Sequence, residues 1–312
     1  MTTALEDDAL FDYEKPAPVS LADKFLVPPF SVLDARGGLW QDRKRRWLSL
    51  GIESEIGRGV ALTYGGNHTD PVSQKILDMG ATSVFDPVLC EIAYRWFSAP
   101  GDRVLDPFAG GSVRGVVAST LARWYYGVEL RAEQVEANRA QAHLGTTIAP
   151  TWIEGDATRL GESVPIDNEF DLLFSCPPYA DLEVYSDNPR DLSVMPYGAF
   201  LDAYRGAIRD ALGYLRKDRF AAWVISDVRD RHGIYRGLVA DTVRAFTDAG
   251  AGLYNDAVYL EMIASGSLRA EAPFTATRKI TRKHQHMLVF VKGDPRKAAA
   301  HASGGDLMGD AA

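Results

Sequence analysis

The chain has 312 residues, of which 46% are hydrophobic and 24% are charged, and this mixture excludes disordered and collagen-like polymers. Its formal net charge of -8 argues against a generally basic protein that coats nucleic acid. No apolar run reaches the roughly 18 residues of a membrane-spanning helix, and the first residues lack the pattern of a signal peptide. We therefore expect a globular, cytoplasmic protein with no membrane partner. The two cysteines, Cys90 and Cys176, are too few for a disulfide framework or a cysteine zinc site.

The two ends of the chain and the region before the core lack a regular apolar period. Residues 1–20 are acidic and contain two prolines, which predicts a disordered arm, and residues 294–312, rich in alanine and glycine, predict a disordered tail. Residues 21–83 are interrupted by Pro28-Pro29 and by glycine pairs, so we expect an extension that wraps on the core. Its aromatic and basic residues either pack on the core or face a polyanion, and packing is the favoured alternative.

Residues 84–293 contain short apolar runs that alternate with amphipathic stretches, the pattern of an α/β fold with a largely parallel sheet. Helices are predicted over residues 86–97, 112–122, 131–143, 197–215 and 235–249. The seven predicted strands are Arg103–Leu105, Trp124–Val128, Thr151–Ile153, Asp171–Ser175, Ala221–Ile225, Gly252–Leu260 and Met287–Val291.

A glycine-rich stretch follows the first predicted strand, Asp106-Pro107-Phe108-Ala109-Gly110-Gly111-Ser112, directly before a helix. Glycines let the backbone approach a ligand closely, and free amides at a helix start can bind a carboxylate or phosphate. The dinucleotide-binding glycine pattern and the P-loop lysine are both missing from it. The next two strands end near Glu129 and Asp156, and each acid alone is typical of a turn or a helix cap. Their recurrence at successive strand ends favours one shared cofactor crevice.

The fourth predicted strand ends in Cys176-Pro177-Pro178-Tyr179. Two consecutive prolines fix an extended backbone and remove amide donors, which leaves carbonyl acceptors beside an aromatic ring. Such a tip can hold an amino group and stack its ring, whereas Pro-Pro alone favours a rigid loop.

Together these motifs resemble the amino-methyltransferases of DNA, which use S-adenosylmethionine (SAM) to methylate the exocyclic amine of adenine or cytosine. Asp106–Ser112 is similar to the family's cofactor motif, with Gly-Ser where Ser-Gly is the commoner order, and Cys176–Tyr179 is similar to its Asp/Asn/Ser-Pro-Pro-aromatic tetrapeptide. Val84-Phe85-Asp86-Pro87 resembles the element before the cofactor strand, and residues 25–58 resemble methylases of bacteriophages and prophages. The resemblance, over residues 84–291, implies a Rossmann-like, seven-stranded class I methyltransferase sheet, mostly parallel with an antiparallel last strand.

The same resemblance implies roles for individual residues. Asp106 and the loop after it would hold the methionine part of SAM, Glu129 its ribose and Asp156 its adenine, and S-adenosylhomocysteine would be the product. Tyr179 would stack a base flipped out of the duplex, while the Pro177 carbonyl and the side chain at 176 would accept hydrogen bonds from its amine. The implied cofactor-binding residues are Phe85, Asp86, Asp106, Pro107, Phe108, Ala109, Gly110, Gly111, Ser112, Glu129, Leu130, Asp156 and Ala157. The implied catalytic residues are Cys176, Pro177, Pro178 and Tyr179.

Cys176 departs from the family pattern, because a thiol is a weaker acceptor than the oxygen of Asp, Asn or Ser. Three alternatives follow. Cys176 accepts weakly while the Pro177 carbonyl dominates, which is the favoured one, or the site acts on another substrate, or the thiolate attacks the base covalently. The covalent route needs a depressed thiol pKa and is the least favoured.

DNA is the expected partner of a protein that is a monomer or a homodimer. The basic segment 262–284 is the favoured contact, since phosphate neutralisation gives affinity, and a solvated basic hairpin is its alternative. His284 and His286 share a strand face without further ligands, so no metal site is expected. The candidate nucleic-acid-binding residues are Arg269, Arg278, Lys279, Arg282, Lys283, His284, Arg43 and Lys44.

We therefore expect methyl transfer from SAM to the exocyclic amine of adenine or cytosine in DNA. The rival expectations are methylation of RNA or of a small amine, and a catalytically inactive module that binds SAM and interacts with DNA. The sequence leaves the target base and the recognition site open.

Overall fold

A single mixed sheet organises the chain in the structure, a computed structural model that describes residues 20–53, 84–165, 167, 169–180, 184–261 and 266–304. Residues 1–19 of the predicted arm (residues 1–20) and residues 54–83 of the predicted extension lie outside the described residues. Within the described part the strands are β1 (Val32–Asp34), β2 (Arg103–Asp106), β3 (Trp124–Glu129), β4 (Thr151–Glu154), β5 (Phe170–Ser175), β6 (Leu215–Ile225), β7 (Gly252–Leu260) and β8 (His284–Lys292).

The strand order across the sheet is β1-β7-β8-β6-β5-β2-β3-β4. Strand β8 runs antiparallel to both β6 and β7, and the other neighbouring pairs are parallel. This confirms the predicted Rossmann-like α/β class with a mostly parallel sheet and an antiparallel last strand. The seven predicted strands are all present, but the described sheet has eight, because β1 from the extension pairs with β7 at the register Leu33 to Tyr259.

Helices connect the strands, and the five predicted ones are all present within a few residues of their expected bounds. The described α-helices are α1 (Leu21–Phe25), α2 (Gly38–Leu48), α3 (Pro87–Phe97), α4 (Val113–Thr120), α5 (Ala132–Ala140), α6 (Leu160–Ser163), α7 (Tyr197–Tyr214), α8 (Leu238–Asp248), α9 (Gly266–Thr277) and α10 (Pro295–Ala302). No helix among the described residues is long and apolar enough to cross a membrane.

Alternating side chains of the central strands build two hydrophobic cores, one on each face of the sheet. Val104, Leu172 and Val224 belong to the core that packs against α3 and α4. Their chain neighbours Leu105 and Leu173 belong to the second core, against α7 and α8. The period of two along each strand explains this division, since successive side chains point to opposite faces.

The prediction of a disordered tail from residue 294 is wrong for its first part, because α10 packs on the domain. Asp294 caps this helix by accepting from the Arg296 amide at 2.8 Å, and Pro295 occupies its first turn. Ala298 is buried, and His301 meets Asp102 at 2.8 Å. An aspartate cap followed by proline is a standard helix start, which outweighs the alanine-rich composition.

Candidate functional site

A cleft of about 900 Å³ lies where the carboxyl ends of five parallel strands, β2 to β6, meet the ends of β7 and β8. Crevices at this edge of an open α/β sheet are the usual ligand sites. The cleft brings together the predicted cofactor loop, the predicted catalytic tetrapeptide and part of the basic segment. The predicted residues that line it are Phe85, Asp86, Pro107, Phe108, Gly110, Gly111, Glu129, Leu130, Asp156, Ala157, Cys176, Pro177, Pro178, Tyr179, Lys44, Lys279, Arg282, Lys283 and His284.

The glycine-rich loop after β2 is held in place by polar contacts. The Gly110 amide donates to Glu129 Oε2 at 3.0 Å, and Asn138 Nδ2 donates to the Gly110 carbonyl at 2.7 Å. Gly110 has a φ of 52°, in the left-handed region that glycine favours. A side chain at Gly127 would lie 2.8 Å from the Cβ of Ala109, so the neighbouring strand must carry glycine for the loop to pack there.

Asp106 stands behind the cleft wall. Its side chain is fully buried and accepts at Oδ2 from Arg114 Nε at 2.6 Å and from the Tyr125 hydroxyl at 2.8 Å. At Oδ1 it accepts from Ser175 Oγ at 2.5 Å and from the Phe108 amide at 3.3 Å. Both of its oxygens therefore support the loop from within, and a direct contact between Asp106 and the cofactor stays a prediction.

Ala109 and Ser112 are also buried behind the lining, and Ser112 donates to Gln141 at 3.0 Å. Sequence reasoning missed Arg114, which lines the cleft and donates to the carbonyls of Phe108 at 2.5 Å and Ala109 at 3.0 Å. Burial alone would lower the pKa of Arg114, but the adjacent Asp106 carboxylate, together with Tyr125 and Cys176, outweighs burial and raises that pKa, so the guanidinium stays charged. The sequence signal for it is a single charged residue in the otherwise uncharged helix Val113–Thr120.

The two predicted cofactor acids reach the cleft but already have local partners. Glu129 Oε1 accepts from the Arg131 amide at 3.1 Å, while Oε2 takes the Gly110 amide. Asp156 Oδ1 accepts from the amide and the hydroxyl of Thr158, at 2.9 and 2.7 Å. Each acid thus acts as a turn or helix cap and also faces the cleft, and a carboxylate has room for further donors.

Asp86 and Phe85 form the wall on the side of the extension. Asp86 caps α3 through the Val88 amide at 2.9 Å, and its carboxylate also meets Tyr259 at 3.1 Å and Lys44 at 3.0 Å. The Arg114 guanidinium lies over the ring of Phe85, 4.7 Å from the ring centroid. This wall is therefore tied both to the cofactor loop and to α2.

The tetrapeptide after β5 faces the cofactor loop across the cleft, because β5 and β2 are neighbouring strands. Cys176 Sγ lies 3.3 Å from the Tyr179 hydroxyl, which donates to Gln285 Oε1 at 2.6 Å. Gln285 in turn donates through Nε2 to Glu261. Burial, reinforced by Cys176, raises the pKa of Tyr179 well above its usual value. Gln285 and Glu261 line the cleft without belonging to any sequence motif.

Part of the basic segment lies at the mouth of the cleft. Lys279 is exposed and Arg282 and Lys283 are half-buried, so their charges can meet a polyanion there. Burial, with Arg282 and His286 nearby, lowers the pKa of His284, so this residue is neutral near pH 7 and is not a cation. Arg278 is exposed outside the lining, 5.4 Å from the Phe274 ring. The side chain of Arg269 lies outside the described residues.

The basic residues Arg43 and Lys44 of the extension form ion pairs with acids of the core. Trp47 is buried and donates to Glu91 at 2.7 Å, and Arg43 forms an ion pair with the same carboxylate. The charge of Arg43 thus neutralises a buried acid, and its contact with nucleic acid stays a prediction. Lys44 does face the cleft, but it is paired with Asp86.

Among the described residues, one group has ligand atoms close enough for a metal ion, and it lies at the opposite edge of the sheet. Asp102, Asp171 and His301 place their atoms within 4.8 Å of one another. Asp171 is already paired with Arg216 at 2.8 Å and Arg219 at 3.3 Å, which disfavours a cation there.

Comparison with known proteins gives a likeness of fold. No family model and no curated protein matches the sequence. Solved structures that match include TrmN from Thermus thermophilus, at 19% identity over 67% of this chain and 49% of that one, with a TM-score of 0.43. A methyltransferase from Pyrococcus furiosus matches at 15% identity over 68% and 85%, with a TM-score of 0.43. Magnesium protoporphyrin IX methyltransferase from Synechocystis PCC 6803, which holds bound SAM, matches at 13% identity over 83% and 94%, with a TM-score of 0.41. This chain spans about half the length of the TrmN structure.

Proposed function

We propose that the protein transfers a methyl group from SAM to the exocyclic amino group of adenine or cytosine in DNA, after the base has been flipped out of the duplex. One observation carries this proposal. The glycine-rich loop after β2 and the tetrapeptide after β5 line the same cleft, because the two strands are neighbours in the sheet. A donor held by the first and an amine held by the second would be side by side.

The cofactor would lie against the glycine-rich loop. Pro107, Gly110 and Gly111 let a ligand approach the backbone, and Glu129 and Asp156 offer acceptors for hydroxyl and amino groups along the same edge. Bound SAM supplies an electrophilic methyl group on a sulfonium. Ligand pockets of drug-sized molecules span about 300 to 1,000 Å³, so a cleft of about 900 Å³ leaves room for a nucleobase beside the cofactor.

The substrate would lie against Cys176–Tyr179. The ring of Tyr179 provides a stacking face for a flipped base, and the Pro177 carbonyl provides an acceptor for its amine. Orientation is the main requirement of a direct displacement, because the nucleophile and the leaving sulfur must be in line. Lys279, Arg282 and Lys283 at the mouth would neutralise phosphates and so hold the strand without reading its sequence.

The test is transfer of tritium-labelled methyl groups from SAM to DNA, to RNA and to free nucleosides, followed by mass spectrometry of the modified nucleoside. Stacking of a base on an aromatic ring contributes about 1 to 3 kcal/mol, so Tyr179→Ala should lower kcat/KM on DNA by roughly 5- to 150-fold. Tyr254→Ala is the matched control, since Tyr254 is a partly exposed tyrosine outside the cleft that stacks on Phe220.

Each other outcome replaces the proposal with a specific alternative. Label found in RNA or small amines, and none in DNA, would move the substrate to that class. Cofactor binding without transfer to any acceptor would identify a binding module. Equal loss in Tyr179→Ala and Tyr254→Ala would deny Tyr179 its stacking role.

A further inference from the structure

Four side chains form a continuous hydrogen-bonded chain along one wall of the cleft. Cys176 Sγ lies 3.3 Å from the hydroxyl of Tyr179, and this hydroxyl donates to Gln285 Oε1 at 2.6 Å. The amide nitrogen of Gln285 donates to the carboxylate of Glu261. We name these four residues the cleft relay.

The chemistry of the last member fixes the direction of the whole relay. A carboxylate only accepts, so the amide nitrogen of Gln285 must face Glu261 and its carbonyl oxygen must face Tyr179. A carbonyl oxygen also only accepts, so the hydroxyl proton of Tyr179 is committed to Gln285. The Tyr179 oxygen is then left as the acceptor, and the Cys176 thiol is the donor of the remaining contact. Because burial raises the pKa of Tyr179, this residue keeps the proton that the relay requires.

The backbone holds the far end of the relay rigidly. In the antiparallel pair β7–β8, Gln285 is opposite Tyr259, so Glu261 is its diagonal neighbour on the same face. The Glu261 amide continues the ladder by donating to the Lys283 carbonyl at 3.2 Å. At the near end, Pro177 and Pro178 restrict the backbone between Cys176 and Tyr179. The two ends therefore meet as fixed elements.

We propose that Glu261 and Gln285 are positioning residues that hold the Tyr179 ring and direct the thiol proton of Cys176 toward Tyr179. This inference rests on the proposed function and assigns a role to a residue that differs from the family pattern. In this arrangement the thiol donates to Tyr179, and the sulfur lone pairs face the target amine beside the Pro177 carbonyl. Because the Tyr179 proton is committed to Gln285, it does not stabilise a thiolate, and this disfavours the covalent alternative even though the charged Arg114 also acts on Cys176.

Exchanging the side chains of Glu261 and Gln285 tests whether the direction of the hydrogen bonds matters, or only the packing of the two side chains. Gln285→Glu places two carboxylates together and should lower kcat about tenfold, the effect of roughly one lost hydrogen bond, with the KM for SAM unchanged. In the double variant E261Q/Q285E, the new amide donates to the new carboxylate, which still accepts from Tyr179. We therefore expect kcat to return to within about threefold of wild type. If the kcat of the double variant were no higher than that of Gln285→Glu, the proposed role of the relay would be refuted.

Substitutions at Cys176 give a second prediction of the same relay. A serine hydroxyl can donate to Tyr179 as the thiol does, so Cys176→Ser should keep measurable transfer, at a rate below that of the wild type. An aspartate cannot donate and would compete with Gln285 for the Tyr179 proton, so Cys176→Asp should lose it, although both residues occur in the family pattern. Equal activity of the two variants, or higher activity of Cys176→Asp, would contradict the inference.

Alkylation of Cys176 by iodoacetamide provides a readout that does not depend on methyl transfer. The thiolate is the reacting form, and Cys90 is fully buried, so peptide mass spectrometry can follow Cys176 alone. Gln285→Leu frees the Tyr179 proton to stabilise a thiolate and should accelerate alkylation several-fold, whereas E261Q/Q285E should react at the wild-type rate. Equal alkylation rates in the wild type, Gln285→Leu and E261Q/Q285E would refute the proposed relay. A wild type that methylates no nucleic acid would refute the proposed function alone, because the alkylation series would still decide the relay.

Discussion

The buried ion pair between Asp106 and Arg114 lies behind the glycine-rich loop and should contribute strongly to stability. The side chains are 0% and 5% exposed, and the closest atoms are 2.6 Å apart. Replacement of Arg114 by methionine keeps much of the side-chain volume but leaves the Asp106 carboxylate buried without its counter-charge. Removing one partner of a buried pair costs about 3 to 5 kcal/mol.

We expect Arg114→Met to lower the free energy of unfolding by about 4 kcal/mol. With a urea dependence of about 3 kcal/mol per molar, the unfolding midpoint should fall by roughly 1.3 M. The same variant removes the donors to the Phe108 and Ala109 carbonyls, so the loop should also bind SAM more weakly. Urea titration followed by circular dichroism measures the first effect and calorimetric titration the second.

An exposed arginine provides the matched control. Arg209 pairs with Asp210 at 3.1 Å, but its side chain is 70% exposed, so Arg209→Met should change stability by less than about 0.5 kcal/mol. Adding Asp106→Asn to Arg114→Met removes the stranded charge and should recover about half of the loss. If Arg114→Met were as stable as Arg209→Met, the ion pair would not be what holds the loop.

Two further predictions concern charge. Lys283→Ala should reduce the slope of log affinity for DNA against log salt concentration by about 0.9. His284→Ala should leave this slope unchanged near pH 7, because the lowered pKa of His284 keeps its ring neutral. Fluorescence anisotropy titrations at several salt concentrations measure both slopes, and equal slopes for the two variants would contradict the prediction. Burial alone would raise the pKa of Glu91, but Arg43, Trp47 and Arg95 outweigh burial and hold this pKa below its ordinary value of 4.5. The stabilisation by ionised Glu91 is therefore present above pH 4.5 and lost as the pH falls below it, so the gap in unfolding free energy between wild type and Glu91→Gln should narrow from about pH 7 to about pH 3. Urea unfolding at both pH values would measure the gap, and a constant gap would be inconsistent with this assignment.

Most of the sheet could be predicted because its strands carry their own apolar signal. Strand β5 is buried along its whole length, and the apolar run Leu172–Phe174 at its centre is the signal that marks it in the sequence. Strand β1 lacks that signal, since only Leu33 of its three residues is buried, and it forms because β7 offers an edge. Helix α9 starts with Gly266 and contains Pro273, two residues that mark a loop in a sequence taken alone.

The candidate site divides in the same way. The tetrapeptide and most of the glycine-rich loop could be placed from sequence because each is a contiguous motif at a strand end. Glu261 and Gln285 could not, since their meeting depends on the register of β7 and β8, which no local pattern encodes. The ion pair that Asp106 forms could not be predicted, for a related reason. Its partner Arg114 lies on the next helix, and the sequence does not show that the pair is buried.

Ser175 connects the two halves of the site. It is the last residue of β5, directly before Cys176, and its hydroxyl donates to Asp106 at 2.5 Å while accepting from the Phe108 amide at 3.2 Å. The residue that leads into the tetrapeptide is thus bonded both to the strand end and to the loop that would hold the cofactor. Parallel pairing of β2 with β5 sets the distance between the glycine-rich loop and the tetrapeptide. The hydrogen bond from Ser175 to Asp106 fixes that distance at the strand ends, where the two motifs begin. Since a direct displacement gains most of its rate from alignment, a fixed separation is what the proposed chemistry requires of the scaffold.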